Sequence, residues 1–368
     1  MASNTTVQQV AAFLESRAPS RYQESYDNSG LLVGDPGQAV SGALVSLDCT
    51  EAVLDEAIGR GCNLVVAHHP IIFGGLKRLT GRSYAERTVM KALRAGISLY
   101  AIHTNLDNVR AGVNAKLCER LGLGHTRVLQ PRKGELRQLS VFVPGSHRQA
   151  VFEAMAAAGA GQLGNYSHCS FQIGGQGTFR PNAQANPHIG QANRLEQVEE
   201  TCIQVIFPIA AERAVLGAMR QAHPYEEVAF FLQPLENEHP EVGAGMVGTL
   251  PSPMEEADFI RWVKERLQTG CVRATPLRGR PVRQVAVCGG AGSFLRHQAL
   301  AQGADAFVTA DCKYHEFFDA DGRMLLLDVG HYESEQFTQE LLAGWLEEAF
   351  PQIPVSIART ATNPVSYW

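Results

Sequence analysis

No stretch of the sequence approaches the roughly 18 consecutive apolar residues of a membrane-spanning helix, so no bilayer span is expected. Basic charge is not in excess either: 32 Lys and Arg stand against 37 Asp and Glu, a net charge of −5. That balance removes the electrostatic case for nucleic acid as the main partner. An anionic small-molecule substrate stays open, because a bound cation reverses the local sign. The eight cysteines are scattered over positions 49, 62, 118, 169, 202, 271, 288 and 312, and none forms a Cys-x-x-Cys pair. Cys49, Cys62, Cys202 and Cys288 lie in apolar runs, where a free thiol acts as a small hydrophobe. A disulfide framework is not expected in a chain of this size, which suits a reducing compartment. The stretch MASNTTVQQVAAFLES lacks the basic and apolar blocks of a signal peptide. A soluble cytoplasmic protein is the expectation.

What is present is ordinary globular composition, 45% hydrophobic and 19% charged. With 368 residues, the chain exceeds the length at which one core usually stops growing, so two domains are expected. In the first third, apolar runs at 41–47 (SGALVSL), 63–67 (NLVVA) and 97–102 (ISLYAI) read as strands. Helices fall between them at 50–59, with Thr50 as N-cap, and at 84–95, closed by Gly96; another follows at 113–121. The last third repeats the style, with strands at 282–288, 306–309 and 324–329 and helices at 297–301 and 333–349. Strands alternating with helices predict an α/β core with mixed or parallel sheets flanked by helices. The middle differs. Strands near 139–143, 201–207 and 228–234, with helices at 148–158 and 211–221, follow a β-α-β-β-α-β rhythm, which predicts a ferredoxin-like α+β domain. Its 174–193 segment, GGQGTFRPNAQANPHIGQAN, reads as a long loop or irregular hairpin. The organisation expected is a discontinuous core, 1–127 with 243–368, interrupted by an insert at 128–242.

Three strands end in potential metal ligands: VVA-His68-His69-Pro70, YAI-His103-Thr-Asn-Leu-Asp107 and LLDVG-His331-Tyr-Glu-Ser-Glu335. Ligands of open α/β sheets bind beyond the carboxyl ends of the strands. Adjacent strand residues point to opposite faces, so His68 and His69 suit two neighbouring ions better than one. His331 and Glu335, at i and i+4, share one face of a helical turn, from which Glu335 can bridge two cations. Asp107 adds a hard oxygen. Three imidazoles with two carboxylates suit two divalent transition metal ions, Zn, Mn, Fe, Co or Ni, and fit Ca or Mg poorly. His103 reads either as a ligand or as a proton-transfer group.

Other segments are more ambiguous. Thr309–Glu316 (TADCKYHE) brings Asp311, Lys313 and His315 to the same sheet edge, as an anion site or as a solvated loop. CGGAGSF (288–294) follows a strand and precedes a helix, so its amides either cradle phosphate or close a tight turn. DNSGLLVG (27–34) is loop-like, at the border of the site or simply a turn. HPYEE (223–227) is a rival His/Glu cluster, better explained as a turn and helix cap.

DNSGLLVGD (27–35), AHHPIIF (67–73), HTNLD (103–107), TADCKYHE (309–316) and GHYESE (330–335) occur in that order. In this the chain resembles, over essentially its whole length, the GTP cyclohydrolase I type 2 homolog family of Nif-three-like proteins. The resemblance implies a dinuclear metal centre held by His68, His69, Asp107, His331 and Glu335, and a homohexamer. It also implies an inserted domain akin to small metal-tolerance and signalling proteins; HPYEEVAFFLQPL (223–235) resembles a recurrent stretch of that insert. The family name implies a hydrolase that opens the guanine ring of GTP with metal-activated water. On that reading Glu335 or His103 manages protons, while Lys313 with His315 and the CGGAGS amides holds the anionic nucleotide. Two other readings stay open: a two-metal hydrolase of another phosphate ester or cyclic amide, and a metal-sensing or scaffold protein without catalysis.

Overall fold

The computed structural model describes residues 5–368. The chain forms two compact units, one combining the segments up to Gln130 and from Glu241 onward, the other spanning Pro131–Pro240.

The first unit carries two mixed sheets flanked by helices. The five-stranded sheet runs in the order Gly30–Val33, Ser98–Ala101, Leu64–Ala67, Ala43–Ser46, Val355–Ile357. Its last four strands are parallel, and Gly30–Val33 is an antiparallel edge. Ala43–Ser46, Leu64–Ala67 and Ser98–Ala101 are buried at every residue, as a parallel sheet covered on both faces demands. Alternate residues serve opposite layers. Val45, Val66 and Tyr100 enter one core, and Leu44, Val65 and Leu99 enter another, following the period of two along a strand. The covering helices are capped as expected. The Thr50 side chain accepts from the Val53 amide, Ser83 accepts from the Glu86 amide, and Gly96 closes Tyr84–Ala95 in the left-handed conformation at φ 64°. Each side-chain cap contributes about 1 kcal/mol.

The six-stranded sheet runs Arg273–Ala274, Leu325–Asp328, Ala306–Thr309, Val282–Val287, Glu238–Met254, Gly124–Lys133. Leu325–Asp328, Ala306–Thr309 and Val282–Val287 are mutually parallel, so their carboxyl ends share one edge. The expected helix over 333–349 is two helices, His331–Glu335 and Thr338–Ala349. Between them Phe337 turns into the core, where the Arg120 guanidinium lies 4.0 Å from its ring centre, and the Gln336 side chain donates to the Leu267 carbonyl at 2.9 Å. That break leaves one helical turn to aim His331 and Glu335 independently of the longer helix.

The second unit runs strand–helix–strand–strand–helix–strand, in the sheet order Phe171–Phe179, Glu196–Pro208, Leu136–Pro144, Phe230–Leu235. All pairings are antiparallel. The helices Arg148–Ala157 and Glu212–Ala222 bury Val151, Met155, Val215 and Met219 against Leu139, Val141, Ile203 and Val205. Of the two readings of the 174–193 segment, long loop or irregular hairpin, the structure has the hairpin, with a long connection after Phe179. Phe171–Phe179 pairs continuously with its neighbour from Phe171↔Gln204 to Phe179↔Glu196, so sheet pairing overrides the poor strand propensity of its three glycines. Among the described residues, no helix is long and apolar enough to cross a membrane.

Candidate metal centre

His68 and His69 stand where the strand Leu64–Ala67 ends. Their amides still donate to the carbonyls of Ser46 and Leu47 at 3.2 and 2.9 Å, so sheet geometry fixes both backbones. Ser98–Ala101 delivers His103 and the short helix Thr104–Asp107. Leu325–Asp328 delivers the turn His331–Glu335. The three segments converge. His68, Asp107 and Glu335 form one group of potential ligands, His69, His331 and Glu335 a second, and His68, His69 and His103 a third; within each, the ligand atoms lie within 4.8 Å of one another.

Every imidazole here is held from behind through Nδ1. His68 Nδ1 lies 2.8 Å from the Ile102 carbonyl. A carbonyl only accepts, so Nδ1 carries the proton and Nε2 is left with a lone pair. His69 Nδ1 is 2.8 Å from Asp48 Oδ1, His103 Nδ1 is 2.8 Å from Asp27 Oδ1, and His331 Nδ1 is 2.7 Å from Asp311 Oδ2. Carboxylate or carbonyl acceptors behind metal-binding histidines fix the tautomer and raise ligand basicity. Asp48 is itself steadied by the Thr362 hydroxyl at 2.6 Å, and Asp27 accepts from the Thr104 amide at 2.9 Å.

Glu335 lies between two of these groups. Its Oε2 is 3.0 Å from His69 Nε2 and 3.2 Å from His331 Nε2, while its Oε1 is 3.8 Å from His68 Nε2. Asp107 Oδ1 is 3.7 Å from the same His68 nitrogen. His68 Nε2 and Asp107 Oδ1 are both buried without a hydrogen-bond partner. An orphaned polar atom of this kind costs about 1–3 kcal/mol, and a cation between them satisfies both. The donor set therefore fits metal ions.

Protonation reflects the crowding. Burial keeps His68 below its ordinary value, hence neutral. Burial also opposes a charge on His69, but hydrogen bonds to Asp48 and Glu335 outweigh it and push the ring up to about 10. His331 rises to about 9, because the charge of Glu335 and its hydrogen bond overcome burial. Although burial opposes its charge, Glu335 is held well below the usual carboxylate range, chiefly by His331, whereas burial and the Glu335 charge push Asp107 well above it. Of two carboxyls crowded into one pocket, one ionises and the other resists.

Two segments that the sequence left open take definite places. The three glycine amides of the 288–294 loop are already engaged: Gly289 donates to Asn114 Oδ1 at 3.0 Å, Gly290 to Ser334 Oγ at 2.9 Å and Gly292 to Thr309 Oγ1 at 3.1 Å. Its role is steric. Gly290 has φ 60°, and a Cβ there would lie 2.4 Å from Glu335 Oε1, so the loop can seat Glu335 only as glycine. In TADCKYHE, Asp311 supports His331, whereas Lys313 and His315 are exposed and belong to none of the three ligand groups. The His315 ring stacks with Phe318 at 6.2 Å. Asp48 went unnoticed in the sequence; its signal was its place just beyond the carboxyl end of Ala43–Ser46. His223 is a buried structural residue, with Nε2 3.0 Å from the Phe142 carbonyl and Nδ1 accepting from the Tyr225 amide.

Fold and site together define a class, an α/β protein whose strand ends gather imidazoles and carboxylates able to hold metal ions. The chain belongs to the Duf34/NIF3 (NGG1p interacting factor 3) family, whose sequence profile matches residues 5–364. It is 38% identical over 376 residues to the GTP cyclohydrolase 1 type 2 homolog of Bacillus subtilis (strain 168), covering 100% of both chains. Among solved structures, a Bacillus cereus protein related to NIF3 is similar at TM-score 0.88 and 36% identity, with 100% of each chain covered. A Staphylococcus aureus protein, SA1388, follows at TM-score 0.79 and 28% identity, again over 100% of both.

Proposed function

We propose that the protein is a metal-dependent hydrolase with a dinuclear centre for two divalent transition metal ions. His68, Asp107 and Glu335 would hold one ion, and His69, His331 and the same Glu335 the other. The observation that carries this reading is the Glu335 carboxylate, with one oxygen toward His68 and the other between His69 and His331. Each ion would be held by three side chains, fewer than the four that close a storage or structural site, and catalysis needs the exchangeable position so left. Two ions so held would supply Lewis acidity and an acidified water, with a pKa lowered towards ~7.

The chain's own residues do the rest. Asp27 holds His103 by Nδ1, so Nε2 is the atom that takes or returns a proton. Gly290 and the Ser334 hydroxyl shape the floor under Glu335. Phe73 lies with its ring 6.0 Å from His103 and 6.1 Å from Tyr26, and both aromatics are exposed. They offer a stacking rim for a flat base. With relatives named GTP cyclohydrolase 1 type 2 homolog, the substrate we favour is a purine nucleotide, and the reaction is hydrolytic opening of its ring. Lys313 and His315, exposed at the same sheet edge, are the candidates for the anionic portion. Metal-loaded protein incubated with GTP should release formate or a fluorescent pterin at a rate that His69→Ala abolishes. Equal traces from both proteins would remove the reading.

The proposal extends to the rest of the molecule. The 131–240 unit, with its strand order, is a ferredoxin-like insert. The protein assembles as a hexamer, and a single-chain mass by light scattering would count against that.

A further inference from the structure

The 131–240 unit has a second concave site, independent of the metal centre. The sheet face opposite its two helices carries Phe142, Ile173, Glu200 and Cys202. The loop after Phe171–Phe179 folds over that face and is tied down where the Asn186 amide donates to Glu226 Oε1 at 2.9 Å. The half-open cleft so formed measures about 660 Å³, within the roughly 300–1,000 Å³ usual for small-molecule sites.

Its walls are aromatic and its polar groups are acidic. The Tyr225 ring is a hub, 6.0 Å from Phe179, 6.3 Å from His188 and 5.0 Å from His223. The Tyr225 hydroxyl is buried beside the Glu200 carboxylate. Glu200, Glu226 and Glu227 line the cavity against one cation, Arg180, and among the described residues no arginine or lysine pairs with Glu200. The sequence makes room for that carboxylate: a Cβ on Gly177 would lie 2.1 Å from Glu200 Oε2, while Gly174 and Gly175 leave open space beside it. A carboxylate half-buried among aromatic faces without a counter-ion is chemistry for a cation, since ring faces attract positive charge and a carboxylate takes a planar N–H pair in bidentate fashion.

We infer that this cavity binds a small organic cation, an amidinium- or guanidinium-like group on a flat apolar body, with Glu200 as counter-ion and Tyr225, Phe179 and His188 as the cage. The test uses the full-length protein with benzamidine as probe and neutral benzamide as its isostere, followed by saturation-transfer NMR titration. Benzamidine should bind saturably to the wild type and to His69→Ala alike, with benzamide at least about tenfold weaker. Glu200→Gln should weaken benzamidine by a similar factor. Tyr225→Ala, which removes the hub of the cage, should weaken benzamidine by a similar factor and carries the test if Glu200→Gln is unstable; retained binding in that variant would overturn the assignment. Absence of saturable binding, equal affinity for benzamide, retention in Glu200→Gln or loss in His69→Ala would each overturn the assignment. The last outcome would put the cation at the metal centre.

Discussion

Replacing Gly290 by alanine tests how tightly the Glu335 seat is built. Two costs combine at that position. Left-handed backbone costs an L-residue roughly 1–2 kcal/mol, and Gly290 sits at φ 60°. The new methyl would also lie 2.4 Å from Glu335 Oε1, so the carboxylate must retreat by roughly 1 Å to reach ordinary contact. Glu335 is buried and held by His69 and His331, and metal sites tolerate only about ±0.2 Å in ligand distance. Gly290→Ala should therefore fold, lose a few degrees in Tm, and bind transition metal at least about 10–100-fold more weakly, the scale of a misplaced ligand. Gly303→Ala separates strain from displacement. Its φ is 76°, but the nearest atom to a new Cβ is Gln284 Nε2 at 3.9 Å. It should lower Tm by about 2–4 °C per kcal/mol of strain and leave metal affinity alone. Chelator competition with thermal denaturation reads both. A folded Gly290→Ala protein with wild-type metal affinity would refute the reasoning.

Asp48→Asn and Asp311→Asn, each removing the carboxylate behind one imidazole, should weaken metal binding about 10–100-fold without unfolding the protein; unchanged affinity in both would show that the rings need no support. The buried Arg278–Glu256 pair, at 2.7 Å, supports the first unit: Glu256→Gln leaves the guanidinium only Asp305 as counter-charge, at 3.5 Å, and should cost up to about 3 kcal/mol in chemical denaturation. Burial opposes the Glu256 charge, but Arg278 outweighs it and holds the carboxyl below its ordinary value of 4.5. Its stabilisation is thus present above pH 4.5 and lost as pH falls through the folded value. The Tm gap between wild type and Glu256→Gln should narrow on acidification, and a gap widening below pH 4.5 would contradict the sign.

That His68, His69 and Asp107 meet was legible, because their motifs follow neighbouring buried parallel strands, which deliver their carboxyl ends to one edge; that Leu325–Asp328 brings His331 and Glu335 there from a second sheet was not. His331 and Glu335 were readable as a pair from their i, i+4 spacing. The supporting carboxylates were harder to see. Asp27, Asp48 and Asp311 lie in loops with no shared spacing, and each acts on a histidine far away in sequence. The glycine loop stays ambiguous in sequence because a turn rich in glycine looks alike whether its amides face a ligand or the protein; here its three glycine amides face Asn114, Ser334 and Thr309. The strand Phe171–Phe179 was hidden by its composition, since long-range pairing with Glu196–Pro208, not propensity, makes it a strand. The split at Phe337 was hidden too, because the helical pattern runs through it and only tertiary packing breaks it.

Elemental analysis of protein purified without chelator, paired with Glu335→Ala, bears most directly on the whole account. Two transition-metal ions per wild-type chain, and at most one in the variant, is the expected result. A wild-type chain that carries none, or a variant that keeps both, would contradict a carboxylate shared between two cations.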